Sequence, residues 1–432
     1  RKRYDVISAL KKHCIAYHSD FHSVHPTPTE YLADAGFLDG VAEFVRREGD
    51  GAADVRRIFG VKTLGCYGQP GSSWAAQAVA GLKQIGVAPA GVPCYVDEGD
   101  HVGLNNKPFW YANALNVYHM GRNYTRMDLH DPAAVEPAKE KVSEIAARLG
   151  KEDGGGLISI FYHPCEWVHQ QFWDGVNFSR GTNPPRAEWK APAQRTAQET
   201  QGAFQRFGEY VDHIRAIPGV RFVTAEDLPA LYPDLARRQG ATGTELLQVA
   251  QLIGKQAPNG LDFSLVGSKA FSVADQFDLL SEALAQLIER KEVKFPLNLK
   301  GAFGPDAMAA SNAVPEHIQA TAFLAAVLDA RDFVRTHGRV PSRVFIGAET
   351  VSPSDFMVGM ASMYLRAADT GKLAGGEVSL GHNTSVLSSK YIAEDKPNLF
   401  GGWIIHKEGF RAPKVLEIAR LQTWTLKPAI HR

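Results

Sequence analysis

Charge imbalance is absent from this chain: Lys plus Arg and Asp plus Glu number 47 each, and no basic tract occurs anywhere in its 432 residues. A nucleic-acid binder needs a concentrated positive footprint, so that class is excluded and a neutral polymer or small molecule becomes the expected partner. Long apolar runs are absent too, with no stretch approaching the roughly 18 residues of a membrane span. Hydrophobic residues still make up 44% of the chain, enough for well-packed cores. Cysteine is scarce, limited to Cys14, Cys66, Cys94 and Cys165. Without paired spacing these thiols build neither a disulfide framework nor a structural zinc site, and each lies in or beside an apolar run that suits a small buried side chain. An initiator Met and an apolar signal core are both missing around Arg1-Lys2-Arg3, which predicts a sequence cut at its start.

Histidine, by contrast, is concentrated. The segment Tyr17-His18-Ser19-Asp20-Phe21-His22-Ser23-Val24-His25-Pro26 sets three imidazoles within eight positions, directly after the apolar run Cys14-Ile15-Ala16-Tyr17. That run reads as a buried strand, so the histidines emerge at its C-terminal end, where an α/β enzyme places its chemistry. A single His beside a strand is more often hydrogen-bonded packing. Neutral imidazole is also the commonest zinc ligand, and clustering favours a metal role for His18 and His22. For His25, before Pro26, shaping the turn competes with ligation.

A chain of this length exceeds what one core usually supports, so two domains are expected. Up to about residue 230, short apolar runs alternate with longer amphipathic ones. Candidate strands are His13–Tyr17, Thr63–Tyr67, Val92–Val96, Leu115–Tyr118, Leu157–Tyr162 and Arg221–Thr224; candidate helices are Gly36–Arg47, Ser73–Ile85, Pro132–Leu149 and Arg195–Ile217. Such alternation implies parallel pairing through right-handed crossovers, hence a barrel or an open sheet. The barrel is favoured because distinctive residues follow several different strands. Between Phe172 and Gln194 the chain turns polar and rich in Pro, Gly and Asn, which predicts either a substrate-facing flap or a loop pinned by Phe172, Trp173, Phe178 and Trp189.

Beyond Leu231-Tyr232-Pro233-Asp234 helices dominate, and an internal repeat emerges. Leu246 to Leu280 and Ala322 to Leu365 each present an apolar-periodic helix followed by a Ser that caps a second helix, Ser272 before Phe277 and Ser352 before Phe356. The segment Val415–Trp424 reads as the opening helix of a third unit. Helix-pair repeats bury one continuous core by stacking, so a separate small α-helical domain is expected over 241–432.

Taken in strand order, the distinctive segments are His18-Ser19-Asp20-Phe21-His22, Tyr67-Gly68-Gln69-Pro70-Gly71-Ser72-Ser73-Trp74, Tyr95-Val96-Asp97-Glu98-Gly99 and Ile158-Ser159-Ile160-Phe161-Tyr162-His163-Pro164. In its His-Ser-x-x-His block and its apolar strand ending in a single His, the region 1–232 resembles the polysaccharide deacetylase (NodB homology) family. The resemblance implies a distorted (β/α) barrel that hydrolyses an N- or O-acetyl group from a sugar with a divalent metal, most often zinc, in a secreted or periplasmic setting. It also implies that His18 and His22 bind the metal and that His163 protonates the leaving amine. A metal with open positions lowers the pKa of bound water and stabilises an oxyanion, and an imidazole can hold and release a proton near neutrality.

The chain departs from that family in two motifs. No pair of aspartates precedes the His block, upstream of which stands only Asp5, and Gly68 stands where an Arg is usual. Truncation explains the first gap most simply; otherwise Asp20 joins the metal ligands, or Asp97 or Glu98 supplies the missing carboxylate. Neighbouring strand residues face opposite ways, so only Asp97 is expected to be catalytic. Glu166 either orients His163, binds the metal or is merely solvated. Tyr67, Gly68, Gln69 and Pro70, forming a turn with backbone amides, are the expected substrate-binding residues, with Trp74 and Trp167 as sugar-stacking faces unless those aromatics are core. In the C-terminal half, Arg331–Val344 followed by Val351-Ser352-Pro353-Ser354-Asp355-Phe356 resembles the pseudomurein-binding repeat, which implies attachment to a cell-wall polymer. A metal-dependent carbohydrate deacetylase leads; the rivals are a noncatalytic glycan-binding protein and a metal-dependent glycosidase drawing carboxylates from Asp97, Glu98 or Glu166.

Overall fold

The computed structural model describes every residue except 1–2, 98, 100, 119–122, 153–154, 164, 309–316, 374, 388–389 and 432, with Asp97 and Tyr118 described in backbone only. In chain order the strands are β1 (Tyr67–Gly68), β2 (Cys94–Asp97), β3 (Phe109–Tyr111), β4 (Ala114–Tyr118), β5 (Ser264–Val266), β6 (Lys269–Phe271), β7 (His317–Gln319), β8 (Val344–Ile346), β9 (Glu349–Val351), β10 (Glu377–Ser379) and β11 (Lys427–Pro428). The architecture is mixed α/β.

One five-stranded sheet, ordered β1-β2-β4-β3-β11, sits in the first core. Its β1, β2 and β4 are parallel, and Tyr17 extends the parallel side by a single bridge to Tyr67. Tyr17, Tyr67, Tyr95 and Asn116 therefore lie in one register, so the backbone after each of them leaves on the same edge. His18, the Gly68 turn and the end of β2 share that edge, which is why the histidine block and the turn meet.

The expected barrel does not close among the described residues. Leu157–Tyr162 contributes only one bridge, Ser159 to Tyr124, and Arg221–Thr224 forms no strand. A cavity of about 800 Å³, lined by Val96, Val117, Ile160, Phe207 and Val223 among others, separates these segments from the sheet. Ile158, Ile160 and Tyr162 pack on a small satellite core of Met127, Leu129, Val142, Trp167, Tyr210 and Ile214, whereas Leu157 and Val223 pack on the first core.

The helices follow the expected positions, with one instructive extension. The third expected helix is observed over Val135–Leu149 and the fourth over Ala197–Ala216, the second shortens to Ala76–Gly81, and the first runs from Phe37 on to Phe59. Gly49 and Gly51 lower intrinsic helicity there. Tertiary contact overrides them: a Cβ on Gly51 would stand 2.7 Å from the Tyr17 hydroxyl and 2.9 Å from Asp20 Cγ, so the glycine admits the histidine block against the helix. The buried stripe Phe37, Gly40, Phe44, Glu48 and Ala52 keeps the three-to-four spacing throughout.

Two helix-hairpin-helix units make up most of the C-terminal half. The first comprises Gly243–Gln256, β5-β6 and Val273–Arg290; the second comprises Ala320–His337, β8-β9 and Pro353–Thr370. Ser272 and Ser352 cap the second helices as expected, accepting from Asp275 N at 3.1 Å and Asp355 N at 3.0 Å. Phe277 and Phe356 are fully buried, and the first helix of each unit packs on the second helix of the other. The expected third unit is corrected: the helix Pro413–Gln422 buries Val415, Leu416, Ile418 and Ala419 in the first core against Ala76–Gly81, and β11 then joins the first sheet. The last 40 or so residues thus cross back over the expected boundary at 232–241. Lys427 holds that return in place, with its Nζ 2.9 Å from Asp234 and 2.8 Å from Asp275, all three buried.

Candidate functional site

Glu48, fully buried in the long helix, organises the histidine block. Its two oxygens accept from the hydroxyls of Tyr17 (2.7 Å), Ser19 (2.9 Å) and Tyr31 (3.1 Å) and from the backbone N–H of Asp20 (2.8 Å). With the backbone fastened at Ser19 and Asp20, the flanking rings take fixed directions. His18 donates its Nδ1–H to the Gly68 carbonyl at 2.7 Å, leaving Nε2 as the lone-pair nitrogen. Its ring meets His22 edge to face, with centroids 4.7 Å apart. His22 Nδ1 lies 3.2 Å from the Ser23 hydroxyl, and its Nε2 lies 3.7 Å from Asp174 Oδ2.

A cavity of about 540 Å³ opens here, lined by His22, Gly71, His163, Phe172, Asp174 and Trp403 among others. His163 enters from the far side of the domain, after the Ser159 bridge. Its Nδ1–H donates to Glu166 Oε1 at 2.8 Å; the same oxygen accepts the His163 backbone N–H at 3.1 Å, and Arg126 pairs with the other oxygen. Trp403 comes from the C-terminal return, its ring 5.7 Å from His22 and laid over Gly71, where a Cβ would fall 2.2 Å from the indole. Gly71 has φ +46°, so both backbone and space require glycine.

Electrostatics favour neutral imidazoles beside a carboxylate. Burial pushes His22 down to about 4, reinforced by the charge of His18 and opposed by Asp174. His18 keeps an exposed edge, yet crowding by protein lowers it too, against the pull of the Gly68 carbonyl. Burial alone would raise Glu166, but hydrogen bonds from the His163 ring and backbone, with Arg126, hold it below the usual carboxylate range. His25 is drawn up by Glu30, whose Oε2 lies 2.7 Å from its Nδ1; it ties the turn to the next helix rather than facing the cavity.

The structure brings His22 and His163 together, with His18 against His22, although these residues are far apart in sequence. It places others elsewhere. Asp20 lies against Gly51, outside the cavity lining. Tyr67 is fully buried among Phe44, Tyr17 and Tyr95, because alternation along β1 sends it to the helix side. Gly68 serves through its carbonyl, Gln69 is buried with its amide on the Gly71 carbonyl and its oxygen accepting from Tyr95, and Pro70 is buried. Trp74 stacks on His101 within the first core and Trp167 packs on Phe204 and Phe207 in the satellite core, so neither presents a face to a sugar. The Asp97 side chain and Glu98 lie outside the described residues.

Asp174, Trp403, Glu48 and Arg126 were not singled out from sequence. Asp174 falls within the flap whose aromatics were noted, so its position carried a signal; a helix carboxylate and a tryptophan some 380 residues downstream of His22 carried none. In kind the donors suit a divalent cation: two neutral imidazoles, one oriented through its Nδ1–H on a carbonyl, and a carboxylate. The 3.7 Å between His22 Nε2 and Asp174 is too long for a hydrogen bond but near the ~3.3 Å that separates two ligand atoms on a tetrahedral zinc. Among the described residues no three His, Cys, Asp or Glu side chains converge on one point to hold such an ion. No helix among them is long and apolar enough to cross a membrane. Compared with protein-family models, curated proteins and solved structures, the chain matches none.

Proposed function

We propose that this chain is a hydrolase that removes acetyl groups from an acetylated, amino-sugar-containing carbohydrate, with His163 as the proton-transfer residue and His18 and His22 as ligands of a divalent cation, most suitably zinc. The observation that carries the reading is the meeting of His22, His163 and Asp174 around one 540 Å³ cavity, with His18 packed on His22. A bound cation would polarise the acetyl carbonyl and acidify a water. His163, held by Glu166 through Nδ1, keeps Nε2 available for proton exchange, the arrangement expected of an oriented general acid or base. Arg126 fixes Glu166 in turn. Trp403 and Phe172 offer apolar walls against which a sugar ring or an acetyl methyl can pack. The parallel run from Tyr17 through β1 to β2, with helices between and β4 alongside, is also what a distorted (β/α) barrel of the deacetylase type would share.

The test is acetate release from acetylated chito-oligosaccharides together with metal analysis of the purified protein. His18→Ala should lose both bound metal and acetate release. His163→Ala should keep its metal while turnover falls roughly 10²-fold to 10⁴-fold. Unchanged metal stoichiometry in His18→Ala would refute the ligand assignment, and normal turnover in His163→Ala would remove that residue from the chemistry. A wild-type protein that binds the oligosaccharide yet releases no acetate with any added divalent ion would instead be a glycan-binding protein.

A further inference from the structure

A second cavity of about 400 Å³ adjoins the first, and Gln171 and Phe172 stand in the walls of both. Its lining is about half polar where the first is mainly apolar: Arg126, His130, His169 and Arg195 are placed around it, with Asp128 and Glu166. Arg126 spends its charge on Glu166, and Asp128 accepts the backbone N–H of His130 at 2.8 Å. Arg195 is different. Its Nε donates to the His169 carbonyl at 3.1 Å and its backbone N–H to Val168 O at 2.9 Å, which fix the stem of the side chain. Among the described residues no carboxylate closes to ion-pair distance on its guanidinium, although Glu199 is near enough for the two charges to interact, and Arg195 lines the cavity.

We infer that this cavity is a subsite for the sugar next to the reacting one, and that it selects a neighbour carrying a carboxylate, with Arg195 reading that group. The inference rests on the hydrolase reading for the identity of the first cavity. The physical argument is positional. Gln171 and Phe172 wall both cavities, so an oligomer held between Phe172 and Trp403 can extend past Phe172 into the second. A planar guanidinium with two free N–H groups matches a carboxylate in bidentate geometry, which a hydroxyl cannot reproduce. Arg126 stays on Glu166 and balances its charge, so an acidic neighbour bound by Arg195 leaves His163 with its orienting carboxylate. A neutral oligomer fits the same space but leaves Arg195 unanswered.

Calorimetric titration of the full chain with two defined probes tests this: a hyaluronan tetrasaccharide, in which N-acetylglucosamine alternates with glucuronate, and neutral chitotetraose. Wild-type protein should prefer the hyaluronan fragment, and the preference should shrink at high salt, as an exposed charge contact requires. In Arg195→Gln the ratio of the two dissociation constants should fall about tenfold, while Arg195→Lys should keep part of it. Equal affinities in the wild type, or a preference that Arg195→Gln leaves intact, overturns the subsite. Because the readout is binding, the outcomes separate: a preference that depends on Arg195 with no acetate released from either probe removes the hydrolase reading and keeps the subsite. Should Arg195→Gln fail to fold, the salt dependence of the wild-type preference still decides.

Discussion

Replacing Glu48 by Gln tests whether one buried carboxylate fixes the whole histidine block. Four donors converge on it: the Tyr17 hydroxyl and Asp20 N–H on one oxygen, and the Ser19 and Tyr31 hydroxyls on the other. The amide keeps one oxygen, which the Asp20 N–H claims because a backbone donor cannot rotate. The new NH2 then faces Ser19 and Tyr31, whose hydroxyls can turn to accept from it. Two hydrogen bonds to a charged group are lost, each worth roughly 1.5–3 kcal/mol, and two weaker ones partly replace them, so the net cost is about 2–3 kcal/mol. Glu48→Ala leaves the Asp20 N–H and the Ser19 and Tyr31 hydroxyls without that acceptor, while Tyr17 keeps the residue-48 carbonyl at 3.2 Å, and should cost about 4 kcal/mol or more. Urea unfolding followed by tryptophan fluorescence measures the global loss, and hydrogen exchange at the Asp20 amide measures the local one. If His18 and His22 depend on this anchor, acetate release and bound metal fall with it. A Gln variant within about 0.5 kcal/mol of wild type, with the Asp20 amide still protected, would refute the reasoning.

Two further outcomes follow from contacts elsewhere. Lys427→Met leaves Asp234 and Asp275 buried without their shared cation and should cost about 3–5 kcal/mol at pH 7. Burial would raise Asp275, but Lys427 and Arg237 hold it below its usual value, so in the wild type its contribution is full above a pKa of about 3.9 and fades as pH falls toward the depressed native value. Without Lys427 burial raises Asp275, so the variant's deficit should narrow from pH 7 to pH 5 in thermal unfolding; a deficit constant with pH would count against the pairing. Gly71→Ala combines a left-handed backbone with a methyl inside the Trp403 ring, so the indole must move and KM should rise several-fold with about 1–2 kcal/mol lost from stability. An unaltered KM would separate Trp403 from substrate.

Much of the local structure was legible. Period and capping residues located the helices near Val135–Leu149 and Ala197–Ala216, and the paired Ser-capped helices at Ser272 and Ser352, because those signals lie within one turn of the residues they govern. The His18 and His22 pair was legible for the same reason: four positions span one loop. Where the reading missed, distance along the chain was the cause. Pro413–Gln422 carries the same apolar period as the repeat helices, and period says which face is buried but not against what. Trp74 and Trp167 were ambiguous because an aromatic that packs and one that stacks on sugar share a sequence signature.

Local order, then, belongs to the sequence itself: where helices begin, which side chains face inward, and that imidazoles gather after an apolar run, which the fold uses as a single bridge at Tyr17 rather than a strand. The tertiary structure alone decided that the sheet stays open, that Glu48 anchors the histidine block, and that Asp174, His163 and Trp403 enclose one cavity with it. The reason is physical. Propensity and periodicity act over a few residues, whereas a site made from residues 22, 163, 174 and 403 exists only after packing has chosen one arrangement of cores among many that satisfy the same local rules.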